Sequence, residues 1–268
     1  MLRPAQWFRP PSDSARSNYT PRAGRPRKAS GAGCGFLAPL AGGVPLPARS
    51  SSVSLSFVWR CVVSAFSSLP FVVFSGSRRL SAAFWPLVRD VVAAVLGAGR
   101  AVSVGCSVGA DAAVIRAVVA LGAVARCRVF AVFGRGGEGG WSGSAVDLVQ
   151  SASQLGVPVS WVAGGSVFAP GRFGPGCLVQ RLRVRSARSV WHAARSGAGS
   201  GFVGFVSARR SPGTWGTARF AARLGLPVVV FPVGDASVAD FPLFARGGCW
   251  VPAARSGVWS SGFRWVAG

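Results

Sequence analysis

Three short segments of the chain set glycine beside small hydroxyl residues, a combination that lets backbone approach an anion closely. They are Ser75-Gly76-Ser77-Arg78-Arg79, Gly105-Cys106-Ser107-Val108-Gly109-Ala110-Asp111 and Ser211-Pro212-Gly213-Thr214-Trp215-Gly216-Thr217. The second and third lead into helix-like sequence, and the unpaired N–H groups of a helix start attract phosphate. Gly76, Ser77 and Arg78 would hold a phosphate or ribose. Gly105, Ser107, Gly109 and Ala110 would bring backbone to the ligand, and Gly213, Thr214, Gly216 and Thr217 would form a second anion-binding nest. Arg185 or Arg188 would add a two-pronged guanidinium contact, the alternative being a solvated arginine face. Asp111, in the first turn of its helix, would cap that helix or orient its loop.

Other reactive residue types are sparse. The chain contains neither GxxxxGK[ST] nor a strand–GxGxxG–helix run, so two common nucleotide fingerprints are missing. Six cysteines (Cys34, Cys61, Cys106, Cys127, Cys177 and Cys249) form no CxxC pair and the single histidine is His192, which argues against a zinc site. Neither a metal nor a cofactor is expected. Cys106 lies in a candidate ligand loop but has no nearby histidine in sequence to activate it. Glu138, within Arg135–Gly143 (RGGEGGWSG), reads as part of a mobile glycine-rich loop or as a ribose contact.

These loops must be positioned by the elements between them. Apolar, β-rich runs occur at Phe71–Phe74, Ala101–Val104, Arg128–Phe133, Val157–Val162, Gly201–Val206 and Pro227–Pro232. Helix-like stretches alternate with them at Phe84–Leu96, Ala110–Leu121, Ser144–Leu155, Arg183–Arg195 and Thr217–Leu224. Strands that are apolar on both faces and separated by helices predict an α/β, doubly wound, mainly parallel sheet. In such sheets a ligand lies beyond the carboxyl ends of the strands, where the three loops fall. Gly97, Gly99, Gly122, Gly156 and Gly225 mark expected helix ends.

The chain has 268 residues, half of them hydrophobic, and a net charge of +23. The basic residues are arginine apart from Lys28, and Ile, Asn, Tyr and Glu occur once each, as Ile115, Asn18, Tyr19 and Glu138. That bias matches GC-rich codons, so part of the charge reflects gene composition. Residues 70–234 still hold eighteen basic residues against four acids, a net +14. Residues 1–52 are Pro-, Arg-, Ser- and Gly-rich and predict a disordered basic tail, or upstream sequence read from a wrongly chosen start. Residues 53–69 are a covering segment of undecided structure, 70–234 the main domain, and 235–268 a Trp-rich edge segment. The apolar run Cys61–Phe74 is 14 residues long and contains Pro70, too short to cross a bilayer. With no secretory pattern at the N-terminus, the expectation is a cytoplasmic protein with reduced thiols and no membrane contact.

At this level the sequence resembles a known superfamily. FVVFSGSRRLS, AVSVGCSVGADAAVIRAVVALG and SPGTWGTARFAARLGLPVVVFPVG are similar to the GSR turn, the G-x-D-A helix start and the TARFA end of SLOG Rossmann-like domains. RVRSARSVWHAARSGAGSGFVGFV is similar to that superfamily's arginine-led helix. The superfamily includes the DNA-processing protein A (DprA, Smf) family and the LOG-type lysine-decarboxylase-like proteins. The resemblance covers residues 70–234 and implies a nucleotide or nucleotide derivative bound across the loops. Where LOG enzymes carry PGGxGTxxE, this chain reads Pro212-Gly213-Thr214-Trp215-Gly216-Thr217-Ala218-Arg219-Phe220, so Phe220 replaces the glutamate of glycosidic cleavage. The DprA pattern GxDxxAH also departs, with Ala113 and Val114 following Ala112.

The leading expectation is therefore binding of a nucleotide or related phosphorylated small molecule. Single-stranded DNA binding in the manner of DprA is the alternative. A nucleotide N-glycosidase using Asp111 or Glu138 stands third, disfavoured by Phe220. Room is left for a homo-oligomer.

Overall fold

The computed structural model describes residues 69–161, 175–207 and 211–268, with side chains from 178 onward in the second stretch. The expected tail at 1–52, and 53–69 apart from Leu69, lie outside the described residues.

The strands are β1 (Phe71–Gly76), β2 (Ala101–Val104), β3 (Cys127–Ala131), β4 (Val159–Trp161), β5 (Gly201–Val206), β6 (Val228–Pro232), β7 (Cys249–Pro252) and β8 (Phe263–Val266). The helices are α1 (Trp85–Gly97), α2 (Ala110–Ala120), α3 (Val146–Gln154), α4 (Pro175–Arg195) and α5 (Pro212–Arg223). One sheet runs in the order β4-β3-β2-β1-β5-β6-β8-β7. β1 to β6 are parallel, while β8 pairs antiparallel with β6 and β7 antiparallel with β8. The chain winds outward from β1 to β4, returns through α4 and continues from β5 on the other side of β1. The fold is thus a doubly wound, mainly parallel, Rossmann-like sheet whose switch point lies between β1 and β5.

Period-two alternation divides the core into two layers. Val72 and Phe74 face α1 to α3 with Val91, Ile115 and Phe205, whereas Phe71 and Val73 face α4 and α5 with Val190, Phe202 and Ala218. Phe205 stacks on Phe231 with ring centroids 5.3 Å apart, beneath the first layer. Each such fully buried side chain contributes about 1.5–3 kcal/mol of apolar burial. β8 brings Trp265 and β7 brings Trp250 onto Phe244, closing the second layer with an aromatic cluster.

Boundaries differ from the sequence expectation at two helices that matter for the site. α4 begins at Pro175, well before Arg183, and α5 begins at Pro212, not Thr217. Gly213, Thr214, Gly216 and Thr217 are therefore the opening turns of a helix and not a loop ahead of one. Pro212 at the helix start explains the shift, because its fixed φ suits the first turn and its missing N–H is no loss there. Gly97 likewise ends α1 from within.

Candidate functional site

β1 and β5 diverge at Ser77, and the local geometry follows from that residue. Its N–H donates to the Phe205 carbonyl at 2.8 Å, and its carbonyl accepts from the Ala110 N–H at 3.0 Å. Its hydroxyl accepts from the Ser207 hydroxyl and from the Arg79 N–H. One residue thus ties together the ends of β1 and β5 and the start of α2. The preceding Gly76 sits tightly against Ala110 and the Phe205 carbonyl. Arg78 and Arg79 follow, exposed, with the Arg78 guanidinium leaning over Gly143 beside the Trp141 indole N–H. That indole nitrogen is buried and has no hydrogen-bond partner among the described residues.

The β2–α2 loop turns inward. Asp111 is 4% exposed, and its carboxylate accepts from the Ser107 N–H and from Arg185 Nη1, each at 3.1 Å. Gly105 gives the pair its space, since a Cβ there would collide with both the Arg185 guanidinium and the Asp111 carboxylate. Burial pushes the Asp111 carboxyl up from the usual carboxylate range, opposed by the charge of Arg185 and the hydrogen bond from Ser107. The Val108 N–H donates to the Gly143 carbonyl at 3.0 Å, and Gly109 has φ +78. The amides of Ser107 and Ala110, two of the positions expected to approach a ligand, donate within the protein, as does that of Val108. The buried Asp111 carboxylate stands at the start of α2, where the positive end of the helix dipole favours a negative charge.

At α5 the four expected residues separate into two faces. Thr214 and Thr217 are buried, and the Thr217 hydroxyl donates to the Gly213 carbonyl at 2.8 Å. Gly213 and Gly216 are exposed, and a Cβ at either would have nothing within 4 Å. Thr217, Gly105, Arg185 and Ser189 line a cavity of about 10 Å³ behind β1. That is room for one water, not for a nucleotide. The structure therefore unites Ser77 with Gly109 and Ala110, and Gly105 with Asp111, Arg185 and Thr217, while Gly213 and Gly216 face away.

Some contributors carry little sequence signal. Ser207 follows β5 and meets Ser77 from 130 residues away. Ser189 shares a hydrogen bond of 2.8 Å with Ser103 beneath the sheet. Arg181, one helical turn before Arg185, donates to the carbonyls of Val132 and Gly139 at 3.1 and 3.3 Å. The i, i+4 spacing of these two arginines is the one visible cue to a shared inward face. Glu138 folds back onto its own loop and accepts from the Gly136 N–H at 3.1 Å. Cys106 is fully buried, and burial raises its thiol pKa, which opposes thiolate formation. Phe220 meets Trp191 edge-on at 6.1 Å.

No protein-family model matches the chain, and no curated protein matches it. Among solved structures it is similar to DNA processing protein A from Helicobacter pylori, whose description concerns a unique single-stranded DNA binding mode. The identity is 14%, covering 65% of this chain and 70% of that one, with a TM-score of 0.47. It is also similar to DprA from Streptococcus pneumoniae at 18% identity, covering 64% of this chain and 53% of that one, with a TM-score of 0.45. The match thus spans about half the length of the Streptococcus protein.

Proposed function

We propose that the protein binds single-stranded DNA across the carboxyl edge of its parallel sheet, with Arg78 as a phosphate contact at the switch point. The observation that carries this reading is a contrast. The crevice is filled from within by Asp111 and Arg185, while Arg78, Arg79 and Arg135 stand exposed along the same edge. An open row of guanidiniums suits a chain of phosphates tracked over a surface, whereas a mononucleotide needs an enclosing pocket. The net +14 of residues 70–234 supplies a supporting field. The resemblance of the TARFA segment to the DprA family, within the wider SLOG resemblance of FVVFSGSRRLS, points the same way. In this reading Gly76, Ser77, Gly105, Ser107, Gly109, Ala110, Asp111 and Arg185 hold the edge rigid instead of touching the ligand. Thr214 and Thr217 anchor α5, and Gly213 offers backbone at its open end.

A second reading rests on the Trp141 indole N–H, which is buried, unpartnered and adjacent to Arg78. Two donors converging over Gly143 would suit a single phosphate of a nucleotide or related small molecule.

Fluorescence anisotropy with labelled thymidine oligomers, set against thymidine monophosphate, separates the two. Single-stranded DNA binding is expected to strengthen with oligomer length and to weaken by about 0.7 log units per phosphate contact for each tenfold rise in salt. Arg78→Ala is expected to lower that slope by about one contact without changing the melting temperature. Length-independent, salt-insensitive binding of the monophosphate would instead favour the second reading, and failure to bind either ligand removes both.

A further inference from the structure

α4 points its arginines in two directions. Arg181 and Arg185 turn inward to carbonyls and to Asp111, whereas Arg183, Arg188 and Arg195 are exposed. Trp191 shares the outward face with Arg188 and Arg195, at the three- and four-residue spacings that place side chains on one stripe of a helix. It is 39% exposed, a large apolar surface for a position that could have been polar. The Arg195 guanidinium lies 5.1 Å from the centre of its ring, and Phe220 of α5 supports the ring from the side. Arg188, Trp191, His192 and Arg195 line an open hollow of about 360 Å³. Neither α4 nor α5 contains an acidic residue, so these two helices supply no carboxylate to balance the arginines.

We propose that this hollow is a second nucleic-acid contact, in which an unpaired base stacks on Trp191 and the flanking phosphates pair with Arg188 and Arg195. The inference rests on the nucleic-acid reading above but concerns a different surface. Three features select this occupant. A supported indole face with a guanidinium beside it is the arrangement on which bases stack irrespective of sequence. The positive charge of two helices that carry no acid complements a phosphate chain and repels a second copy of the same basic face. The hollow is open at the surface, so a strand can enter and leave it. Trp191 lies about 9 Å along the helix axis from Arg185.

The test uses the full chain with a labelled thymidine oligomer and an abasic oligomer of equal length and charge. Trp191→Ala is expected to weaken binding of the thymidine oligomer at least about fivefold and to leave abasic binding unchanged. Trp191→Phe keeps a stacking face and is expected to retain most of the affinity. Arg188→Ala with Arg195→Ala is expected to lower the salt slope for both oligomers, by about 0.7 per lost contact. Matching melting temperatures confirm that the variants are folded. Equal losses on both oligomers, or no loss on either, overturn the inference. So does dissociation of a dimer by Trp191→Ala in sedimentation, which would assign the hollow to self-association. If Arg78→Ala weakens binding while Trp191→Ala does not, the inference fails and the edge reading stands. If Trp191→Ala alone weakens binding, the reverse holds. If the wild type binds neither oligomer, both fail.

Discussion

The Arg185 guanidinium in α4 reaches 3.1 Å to the buried carboxylate of Asp111 in the first turn of α2, joining elements 74 residues apart. The same carboxylate takes the Ser107 N–H, so a single anion built into the chain organises the β2–α2 loop. This explains why a glycine-rich segment ahead of a helix is closed instead of open. The positive end of α2 and a guanidinium are already satisfied by a side chain. Arg78 and Arg79 stand exposed beyond this closed loop.

Breaking one half of this pair strands a charge in the interior. Asp111→Asn or Arg185→Gln is expected to destabilise the fold by about 3–5 kcal/mol. The double variant is expected to lose less than the sum of the two, because neither charge is then left alone. Urea denaturation of the four proteins measures this. Simple additivity would show that the two residues do not act as a pair.

Gly109 provides a backbone test of the same junction. Its φ is +78, and a Cβ there would collide with the Ser77 carbonyl oxygen. Gly109→Ala is expected to cost about 1–3 kcal/mol from the left-handed conformation alone, with the clash adding to it. A variant melting at the wild-type temperature would contradict this account of the β1–α2 contact.

The strands were legible because their signal is local. AVSV and GFVGFV are apolar at successive positions apart from Ser103, as suits strands buried on two faces, and β2 and β5 have the expected bounds. The start of α5 was not legible, since Gly213, Thr214, Gly216 and Thr217 have the composition of a loop. Packing of Trp215 and Ala218 against β5 and β6 outweighs that local preference. The closing of the β2–α2 loop was invisible for a different reason. Asp111 could be placed in a first helical turn, but the arginine facing it comes from a helix that returns to the sheet only in the folded chain. Ser207 and Trp141 raise the same difficulty, because the residues they lie beside, Ser77 and Arg78, are set by topology and not by spacing.

Thiol chemistry tests the burial of two cysteines near the core. Burial pushes the Cys127 thiol up to about 12 and also raises that of Cys106, whereas Cys249 is exposed on β7. Iodoacetamide at pH 8 followed by peptide mass mapping is expected to alkylate Cys249 and to spare Cys106 and Cys127 until the protein is denatured. Both raised thiols hold their protons more tightly when folded, so their contribution to stability falls as pH rises above the ordinary thiol range. Rapid native labelling of Cys127 would mean that β3 is not held as described.

His192 supplies the opposite sign on the acid side. Its ring packs against Phe71 of β1 at 4.5 Å and Phe130 of β3 at 5.8 Å, and its Nε2 is buried without a partner among the described residues. Burial and then the charge of Arg128 on β3 lower its pKa below the ordinary 6.5. The unfolded chain therefore binds a proton that the folded chain resists, so stability is retained above pH 6.5 and lost as pH falls below it. His192→Phe keeps an aromatic ring against Phe71 and Phe130 but cannot titrate. Denaturation midpoints measured from pH 7.5 to 5 are expected to decline less steeply for this variant than for the wild type. Since Trp191 is its neighbour on α4, parallel oligomer binding at pH 7.5 shows whether the substitution has disturbed the outward face. Identical pH profiles for the two proteins would mean that the imidazole is already solvated in the folded state, and the packing of α4 on β1 and β3 would have to be revised.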